Sequence, residues 1–301
     1  MKLLDGILIS GQIRTEIANE VKHERIDKGL AVPHIAAVLV GDDPASQTYV
    51  AGKEKACKEV GFMSSVYRYP ENIREGKLIE VIDFLNEDKE IDGFIVQLPL
   101  PKHISEHKII ERINPLKDID GFHPENLGKM VLNQPAYLPA TPFGILTLLD
   151  RYQIGTEGKH CVVLGRSHIV GTPISILLSR KNKSGNATVT LCHSYTENIR
   201  KMAAEADILI VAMGKQGFVT ADMVKQDAVV IDVGIHRVPA TDTKSGYRFK
   251  GDVDYETVSR KCSYITPVPG GVGPMTIVSL LMNALKASTL NNNLSNLGKY
   301  S

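Results

Sequence analysis

The stretch CVVLGRSHIVGTP, residues 161–173, decides the interpretation of the fold. A β-branched apolar run leads into Gly165, and a helix-compatible segment follows the turn. This order is typical of a dinucleotide-binding unit, whose usual fingerprint is G-x-G-x-x-G. The stretch departs from that fingerprint, because Ser167 stands at the middle glycine and Gly171 falls one place late. The turn alone leaves two interpretations open, a nucleotide site or a buried turn with a surface arginine, Arg166.

Strand-like and helix-like segments alternate on both sides of this stretch, which predicts an α/β fold with a mainly parallel sheet. In the first half, the pattern predicts a strand over 34–42 and a helix over 44–60. Asp43 precedes that helix as an N-cap, and Gly61 follows it as a stop signal. The proline-rich segment 133–144 predicts a domain boundary. The polar tail, 289–301, is expected to be mobile.

Composition excludes several classes of protein. The 301 residues are 43% hydrophobic and 23% charged with a net charge of +1, which predicts no nucleic-acid or membrane partner. No apolar run is long enough for a membrane span, and the start MKLLDGILISGQ lacks the features of a signal peptide. The four cysteines are scattered without CxxC pairs, so we expect reduced thiols in a cytoplasm and no metal site.

The strand after the turn bears on the choice between NAD and NADP. An NAD site usually has an acidic residue near the end of this strand, where it binds the adenosine ribose. Residues 187–192 are followed here by His193 and Ser194, with no acid. A serine hydroxyl can donate to a ribose 2′-phosphate, and Arg166 can form a charge-assisted contact with it. The pattern favours NADP.

The glycine-rich segment PVPGGVGPMT, residues 267–276, gives a second indication of ligand binding. Gly270, Gly271 and Gly273 permit positive φ angles and leave room for a ligand. The helix that follows would present its amide end to anions or ring carbonyls. A tight turn between domains is the more common explanation of such a glycine-rich segment, and it stays open.

A helical stripe carries the most reactive side chains of the first half. Ser46, Tyr49 and Lys53 share one face of the helix over 44–60. If this face lines a cleft, partial burial lowers the pKa of Lys53 towards a catalytic range. The alternative is a solvated stripe, which Lys55 and Lys58 nearby support.

Two further segments place polar groups at strand ends or turns. Gln97 ends the apolar strand DGFIVQ, the position at which α/β sheets present ligand-binding groups. Asp118 and Asp120 lie in a turn, and Asp120 can accept two hydrogen bonds from an amino-pyrimidine edge. An Asx-turn before Gly121 is the open alternative.

Eight segments in order closely resemble the bifunctional methylenetetrahydrofolate dehydrogenase/methenyltetrahydrofolate cyclohydrolase family. They span residues 46 to 276 and are SQTYVAGKEKA, GFIVQLPLP, KDIDGF, PATPFG, VVLGRSHIVGTP, TVTLCHS, DVGI and TPVPGGVGPMT. The resemblance implies oxidation of 5,10-methylenetetrahydrofolate with NADP, followed by hydrolysis of the methenyl product to 10-formyltetrahydrofolate. It also implies a role in one-carbon metabolism and purine biosynthesis.

The resemblance assigns roles to the folate-side residues. Lys53 is the expected catalytic lysine with Gln97 beside it, Tyr49 packs against the folate rings, and Asp120 holds the pterin. The loop from Pro269 through Gly270 to Gly273 is expected to contact the substrate. The expected cofactor-binding residues are Gly165, Arg166, Ser167, Ile169, Ser194 and Ile235.

The resemblance also implies a homodimer that pairs through its cofactor domains, and two domains facing each other across a cleft. The expected division is a catalytic α/β domain over 1–143 completed by a helix over 274–288, and a Rossmann-like NADP-binding domain over 144–273. One departure concerns Tyr195, because the family often has a basic residue there, which weakens the expected preference for NADP.

Two rival functions remain open on the residues alone. A shikimate-type dehydrogenase also pairs a cleft lysine with an NADP-binding domain, but it does not require the segments around Gln97 and Asp120. A nucleotide-sensing domain would bind NADP without turnover. The stripe of Ser46, Tyr49 and Lys53 speaks against that second alternative.

Overall fold

The computed structural model describes residues 1–243 and 246–297, with side chains described up to residue 290. In chain order, the strands of this part are β1 (Lys2–Leu3), β2 (His34–Val40), β3 (Met63–Tyr69), β4 (Gly93–Val96), β5 (His160–Leu164), β6 (Thr188–Cys192), β7 (Ile208–Val211), β8 (Val229–Asp232), β9 (His236–Pro239), β10 (Tyr247–Lys250) and β11 (Tyr264–Ile265). The α-helices are α1 (Gly6–Glu24), α2 (Pro44–Val60), α3 (Glu75–Glu87), α4 (Glu106–Arg112), α5 (Pro124–Val131), α6 (Ala140–Arg151), α7 (Gly171–Ser179), α8 (Ile199–Ala204), α9 (Tyr255–Val258) and α10 (Val272–Leu297).

The chain divides into two compact units, neither of them continuous in sequence. The six-stranded unit consists of Met1–Ser10 and Thr141–Thr276. The three-stranded unit consists of Gly11–Ala140 and the segment that starts at Ile277. Each unit therefore takes one short segment from the far end of the chain.

The three-stranded unit holds a parallel sheet in the order β3-β2-β4, with α2 following its central strand. Helix α2 begins where the sequence predicts, because the Asp43 carboxylate accepts a hydrogen bond from the Ser46 amide at 2.7 Å and Pro44 occupies the first turn. It ends at Gly61, which has a left-handed backbone with φ of 80°. The carboxyl end of β2 and the start of α2 are thereby fixed next to each other.

The six-stranded unit holds a parallel sheet in the order β1-β11-β8-β7-β5-β6. Strands β7 and β8 are buried along their whole length, as expected for a parallel sheet covered on both faces. From β5 the chain passes to β6 on one side and then to β7 on the other. This reversal creates a switch point at the carboxyl ends of β5 and β7, where such sheets bind ligands.

The predicted α/β fold with mainly parallel sheets is confirmed, and the polar segment after β8 forms an antiparallel β9–β10 hairpin. The strand predicted over 34–42 ends earlier, at Val40. Helices α1, α5 and α9 and strands β1 and β11 are not predicted from the sequence. Among the described residues, no helix is both long and apolar enough to cross a membrane.

The unit boundaries differ from the expected domains at both ends of the chain. Residues 1–10 belong to the six-stranded unit, because the Lys2 amide donates to the Ser263 carbonyl at 2.7 Å and β1 pairs with β11. The last helix begins at Val272 and continues past residue 288 to Leu297. The mobility of the tail stays a prediction, since residues 298–301 lie outside the described residues.

Candidate functional site

A side-chain hydrogen bond joins Lys53 on the α2 stripe to Gln97 just after the end of β4. The Lys53 Nζ atom donates to Gln97 Oε1 at 3.2 Å. Gln97 Nε2 donates to the Leu98 carbonyl at 2.7 Å, so the amide oxygen faces the lysine. Gln97 comes directly after β4, and its amide nitrogen donates to the Val38 carbonyl at 2.9 Å. Two hydrogen bonds to backbone carbonyls therefore fix Gln97, and its side-chain oxygen in turn positions the Lys53 amine.

The three residues of the stripe share one helix face but differ in exposure. Ser46 is buried in the first turn of α2, whereas the Tyr49 ring is 38% exposed. Partial burial raises the pKa of the Tyr49 phenol above its usual value, so it stays neutral at physiological pH. By contrast, the exposed Lys55 lies 3.9 Å from the Glu59 carboxylate. The solvated-stripe interpretation therefore describes Lys55 and not Lys53.

The two aspartates after β4 have different surroundings. Asp118 is buried, and its carboxylate accepts hydrogen bonds from the His123 amide at 2.7 Å and from Asn126 Nδ2 at 3.0 Å. Within the described residues, no hydrogen bond reaches the Asp120 carboxylate. Burial raises the pKa of Asp120, and the positive charge of Lys53 opposes that rise. Asp118 therefore holds the turn, whereas the Asp120 carboxylate takes no part in the hydrogen bonds that hold it.

The turn after β5 is built from close backbone contacts. Gly165 has φ of 112°, and a Cβ atom placed on it would lie 2.1 Å from the Ala212 carbonyl oxygen. A Cβ atom on Gly171 would lie 1.9 Å from the Gly165 carbonyl oxygen. The absence of these two side chains brings the β5 turn against both the β7 turn and the start of α7. Such a cradle at a switch point fits the phosphates of a dinucleotide.

Ser167 replaces the missing fingerprint glycine by organising the start of α7. Its hydroxyl oxygen accepts from the Val170 amide at 3.2 Å and from the Gly171 amide at 3.4 Å. Because these bonds close a turn before the helix, α7 begins only at Gly171, six residues after Gly165. The Ile169 side chain is 42% exposed at this edge.

The residues expected at the 2′-phosphate lie on exposed turns. Arg166 and Ser194 are both exposed, and the Arg166 guanidinium lies 6.0 Å from the centre of the Tyr195 ring. The His193 amide donates to Thr196 Oγ1 at 2.8 Å, which closes the turn that carries Ser194. No acidic side chain occupies the end of β6, so these residues fit a nucleotide that carries a 2′-phosphate on its ribose.

A buried carboxylate pair supports the neighbouring loops, and the sequence analysis missed it. Asp252 accepts from the Met213 amide at 2.7 Å and the Gly214 amide at 2.8 Å, and it contacts His236 Nε2 at 2.7 Å. Asp232 accepts from the Asp252 amide at 2.9 Å, and burial raises its pKa to about 6. The repeated glycine–aspartate pairs in DVGI and GDVD were the available signal.

The loop from Pro269 to Gly273 lies in the six-stranded unit. Gly270 has φ of 107°, and its carbonyl accepts from the Ile7 amide at 3.1 Å. Nothing lies within 4 Å of a Cβ atom on Gly273. The Ile235 side chain, just after β8, is 47% exposed. These residues belong to the same unit as the β5 turn, whereas Tyr49, Lys53, Gln97 and Asp120 belong to the three-stranded unit.

Comparison with known proteins covers both units. The family model "Tetrahydrofolate dehydrogenase/cyclohydrolase, catalytic domain" matches residues 4–120. The model "Tetrahydrofolate dehydrogenase/cyclohydrolase, NAD(P)-binding domain" matches residues 139–292. The chain is 59% identical over 290 residues to the bifunctional protein FolD of Cytophaga hutchinsonii, which spans 96% of this chain and 100% of that protein.

Solved structures give the same result. The bifunctional enzyme FolD, a methylenetetrahydrofolate dehydrogenase/cyclohydrolase from Campylobacter jejuni, superposes with a TM-score of 0.89 at 46% identity, covering 96% of this chain and 99% of that chain. The Trypanosoma brucei enzyme FolD, solved with NADP cofactor and inhibitor, superposes with a TM-score of 0.88 at 35% identity, covering 94% and 95%.

Proposed function

The chain belongs to the tetrahydrofolate dehydrogenase/cyclohydrolase family, and from this premise we propose what it does. It oxidises 5,10-methylenetetrahydrofolate to 5,10-methenyltetrahydrofolate with NADP, and it hydrolyses that product to 10-formyltetrahydrofolate. The observation that carries the proposal is the Lys53–Gln97 hydrogen bond of 3.2 Å in the family's catalytic domain. The site would serve one-carbon metabolism.

In the hydrolytic step, Lys53 is the proton carrier. Attack of water on the methenyl carbon releases a proton and leaves a neutral hydroxyl adduct. When this adduct collapses, its bond to the ring nitrogen breaks, that nitrogen takes up a proton, and the hydroxyl proton leaves to solvent as the formyl C=O forms. An amine at this position can accept the first proton and donate the second. Its partner Gln97 is a neutral amide, so the lysine can change protonation without making or breaking an ion pair. The bond from Gln97 Nε2 to the Leu98 carbonyl keeps the pair in one orientation.

Substrate binding falls to the side chains near this pair. We assign Asp120 to the pterin edge, where a carboxylate without protein partners can accept two N–H donors at once. The ionised form is the competent one, and the charge of Lys53 favours it. Tyr49 presents a half-exposed ring on the same helix face as Lys53, a surface suited to packing against a folate ring.

The six-stranded unit supplies the cofactor site. NADP, when bound, supplies the acceptor for the hydride that leaves the methylene carbon. Gly165 and Ser167 shape the turn, and the exposed Arg166 and Ser194 are the residues we assign to the 2′-phosphate. We assign the further contacts around the cofactor and the folate to Ile169, Ile235 and the loop residues Pro269, Gly270 and Gly273.

The setting of the enzyme is part of the proposal. We propose a cytoplasmic homodimer that pairs through its cofactor domains and supplies one-carbon units for purine biosynthesis. The four cysteines are buried and free, which suits a reducing compartment. The pairing rests on the family resemblance alone. Sedimentation equilibrium of the purified chain tests it, and a monomer at micromolar concentration would contradict it.

The first test follows both reactions at once. Purified protein is mixed with 5,10-methylenetetrahydrofolate and either NADP or NAD, while reduced nicotinamide and methenyl absorbance are recorded together. We expect reduced NADP to form without lasting accumulation of methenyl product. Accumulated methenyl product would mean that hydrolysis is impaired. Binding of NADP without turnover would overturn the proposal in favour of a nucleotide sensor.

A further inference from the structure

A buried asparagine on the last helix connects two segments next to the proposed pterin site. Asn283 lies on α10 and is 3% exposed. Its Nδ2 atom donates to the Ile119 carbonyl at 2.8 Å and to the Leu138 carbonyl at 2.9 Å. Both donor hydrogens of one amide are therefore used on main-chain acceptors from two separate loops.

The two carbonyls lie beside Asp120 and hold its backbone. Ile119 directly precedes Asp120, and the Asp120 carbonyl accepts from the Ala140 amide at 3.2 Å. Just after Asp120, a Cβ atom on Gly121 would lie 2.5 Å from the Leu138 carbonyl carbon. The segment after β4 and the segment before α6 are thus in direct contact at Asp120. The Asn283 amide bridges them from the buried side.

We propose that Asn283 is a positioning residue for the Asp120 carboxylate. Asp120 makes no side-chain hydrogen bond within the described residues. The position of its carboxylate therefore depends on the position of its backbone. Removing the Asn283 amide leaves the buried Ile119 carbonyl and the partly buried Leu138 carbonyl without this donor, and it loosens the contact that sets this backbone. The inference rests on the proposed role of Asp120 in binding the pterin of the substrate.

Two substitutions test the proposal in the full chain. Asn283→Leu keeps the approximate size but removes both donors, and we expect the KM for 5,10-methylenetetrahydrofolate to rise about tenfold with kcat changed less than about threefold. Asn283→Asp turns the donor into an acceptor facing two carbonyls. At low pH a protonated carboxyl can donate one hydrogen bond. We therefore expect the KM of this second variant, relative to the unmodified chain, to improve as pH falls.

Matched controls separate positioning from general stability. Lys286 lies one turn further along α10 and donates to the Ala136 carbonyl at 2.8 Å, and not to the carbonyls of Ile119 and Leu138. Asn86 donates to the Arg112 carbonyl at 2.8 Å and accepts from the Asn114 amide at 2.8 Å, so it is an equivalent amide bridge elsewhere in the unit. Lys286→Met and Asn86→Leu should lower the unfolding midpoint while leaving the folate KM within about twofold.

Asp120→Asn, measured in parallel, distinguishes the inference from the function it rests on. If Asp120→Asn raises the folate KM and the Asn283 variants do not, the positioning role is wrong and the substrate assignment stands. If Asp120→Asn leaves the folate KM unchanged, the substrate assignment itself fails. A rise in the KM for NADP equal to that for folate would also overturn the proposal. If Asn283→Leu does not fold, the pH dependence of the folate KM of Asn283→Asp tests the proposal. A KM that does not improve relative to the unmodified chain as pH falls would then overturn it.

Discussion

The turn around Gly165 and the turn around Asp120 are built by opposite means. In the six-stranded unit, the absence of side chains lets backbone segments approach closely, and the residues we assign to the 2′-phosphate, Arg166 and Ser194, are exposed. In the three-stranded unit, buried side chains such as Asp118 and Asn283 hold the backbone, and the Asp120 carboxylate accepts no hydrogen bond from the described residues. The first turn depends on close backbone contacts with Gly171 and Ala212, whereas the second depends on buried side chains such as Asn283.

The largest effect is expected from removing the Lys53 amine. Lys53→Met should abolish hydrolysis of 5,10-methenyltetrahydrofolate, because no other described group is assigned to carry the proton, while NADP affinity stays unchanged. Lys55→Met is the matched control, since that exposed amine lies on the same helix beside Glu59. Hydrolysis is followed as the loss of methenyl absorbance. A near-normal rate in Lys53→Met would refute the assignment.

A pair of glycine substitutions tests whether the two turns act independently. Gly165→Ala places a methyl group 2.1 Å from the Ala212 carbonyl oxygen, so we expect the KM for NADP to rise about a hundredfold with little change in the KM for folate. Gly121→Ala should do the reverse, because its methyl group meets Leu138. Gly155→Ala, with nothing within 4 Å, is the control. Equal changes in both KM values would mean that the turns are coupled.

A smaller effect is expected at the rim of the cofactor turn. Arg166→Leu should weaken NADP binding about tenfold, equivalent to about 1.4 kcal/mol, and leave NAD binding unchanged. Tyr195→Ala should change NADP binding less than about threefold, because the ring only borders the guanidinium at 6.0 Å. Arg200→Leu, on the exposed pair with Asp222, serves as the control. Isothermal titration with both nucleotides measures this, and equal losses for NAD and NADP would contradict the 2′-phosphate assignment.

The smallest effect concerns the pH dependence of stability around Asp232. Its pKa of about 6 lies above the usual value for an aspartate, so the folded protein holds this proton more tightly than the unfolded chain does. Its contribution to stability is therefore largest at low pH and declines as pH rises to about 6. The unfolding midpoint of Asp232→Asn should fall further below that of the unmodified chain at pH 5 than at pH 7, by about 2–4 °C. A gap that is constant with pH would contradict this sign.

The features that could be predicted from the sequence are those encoded locally. The cap at Asp43, the stop at Gly61 and the strand–turn–helix at Gly165 depend on neighbouring residues, and the structure contains all three. The alternation of apolar strands with helices was sufficient for the α/β class. Gln97 was found because parallel strands present ligand groups at their carboxyl ends.

What escaped prediction depends on residues distant in sequence. Residues 1–10 join the six-stranded unit through a two-residue strand, too short to leave a periodic pattern. Asn283 sits in an apolar helix, where nothing local distinguishes an amide that bonds residues 119 and 138. The Asp232–Asp252 pair is separated by a hairpin. In each case the interacting residues are brought together by the tertiary fold, and their spacing in the sequence does not indicate the contact.

Because both units are discontinuous in sequence, they are completed at different times during synthesis of the chain. All segments of the six-stranded unit have left the ribosome once Thr276 has emerged, whereas the three-stranded unit still lacks the part of α10 that starts at Ile277. The strands β2 to β4 are made early, yet the amide that holds Ile119 and Leu138 arrives only with residue 283. Because domains generally fold as units during translation, we expect the nucleotide-binding half of a nascent chain to mature first. The folate-binding half, although mostly synthesised earlier, is then the last part of the enzyme to be finished.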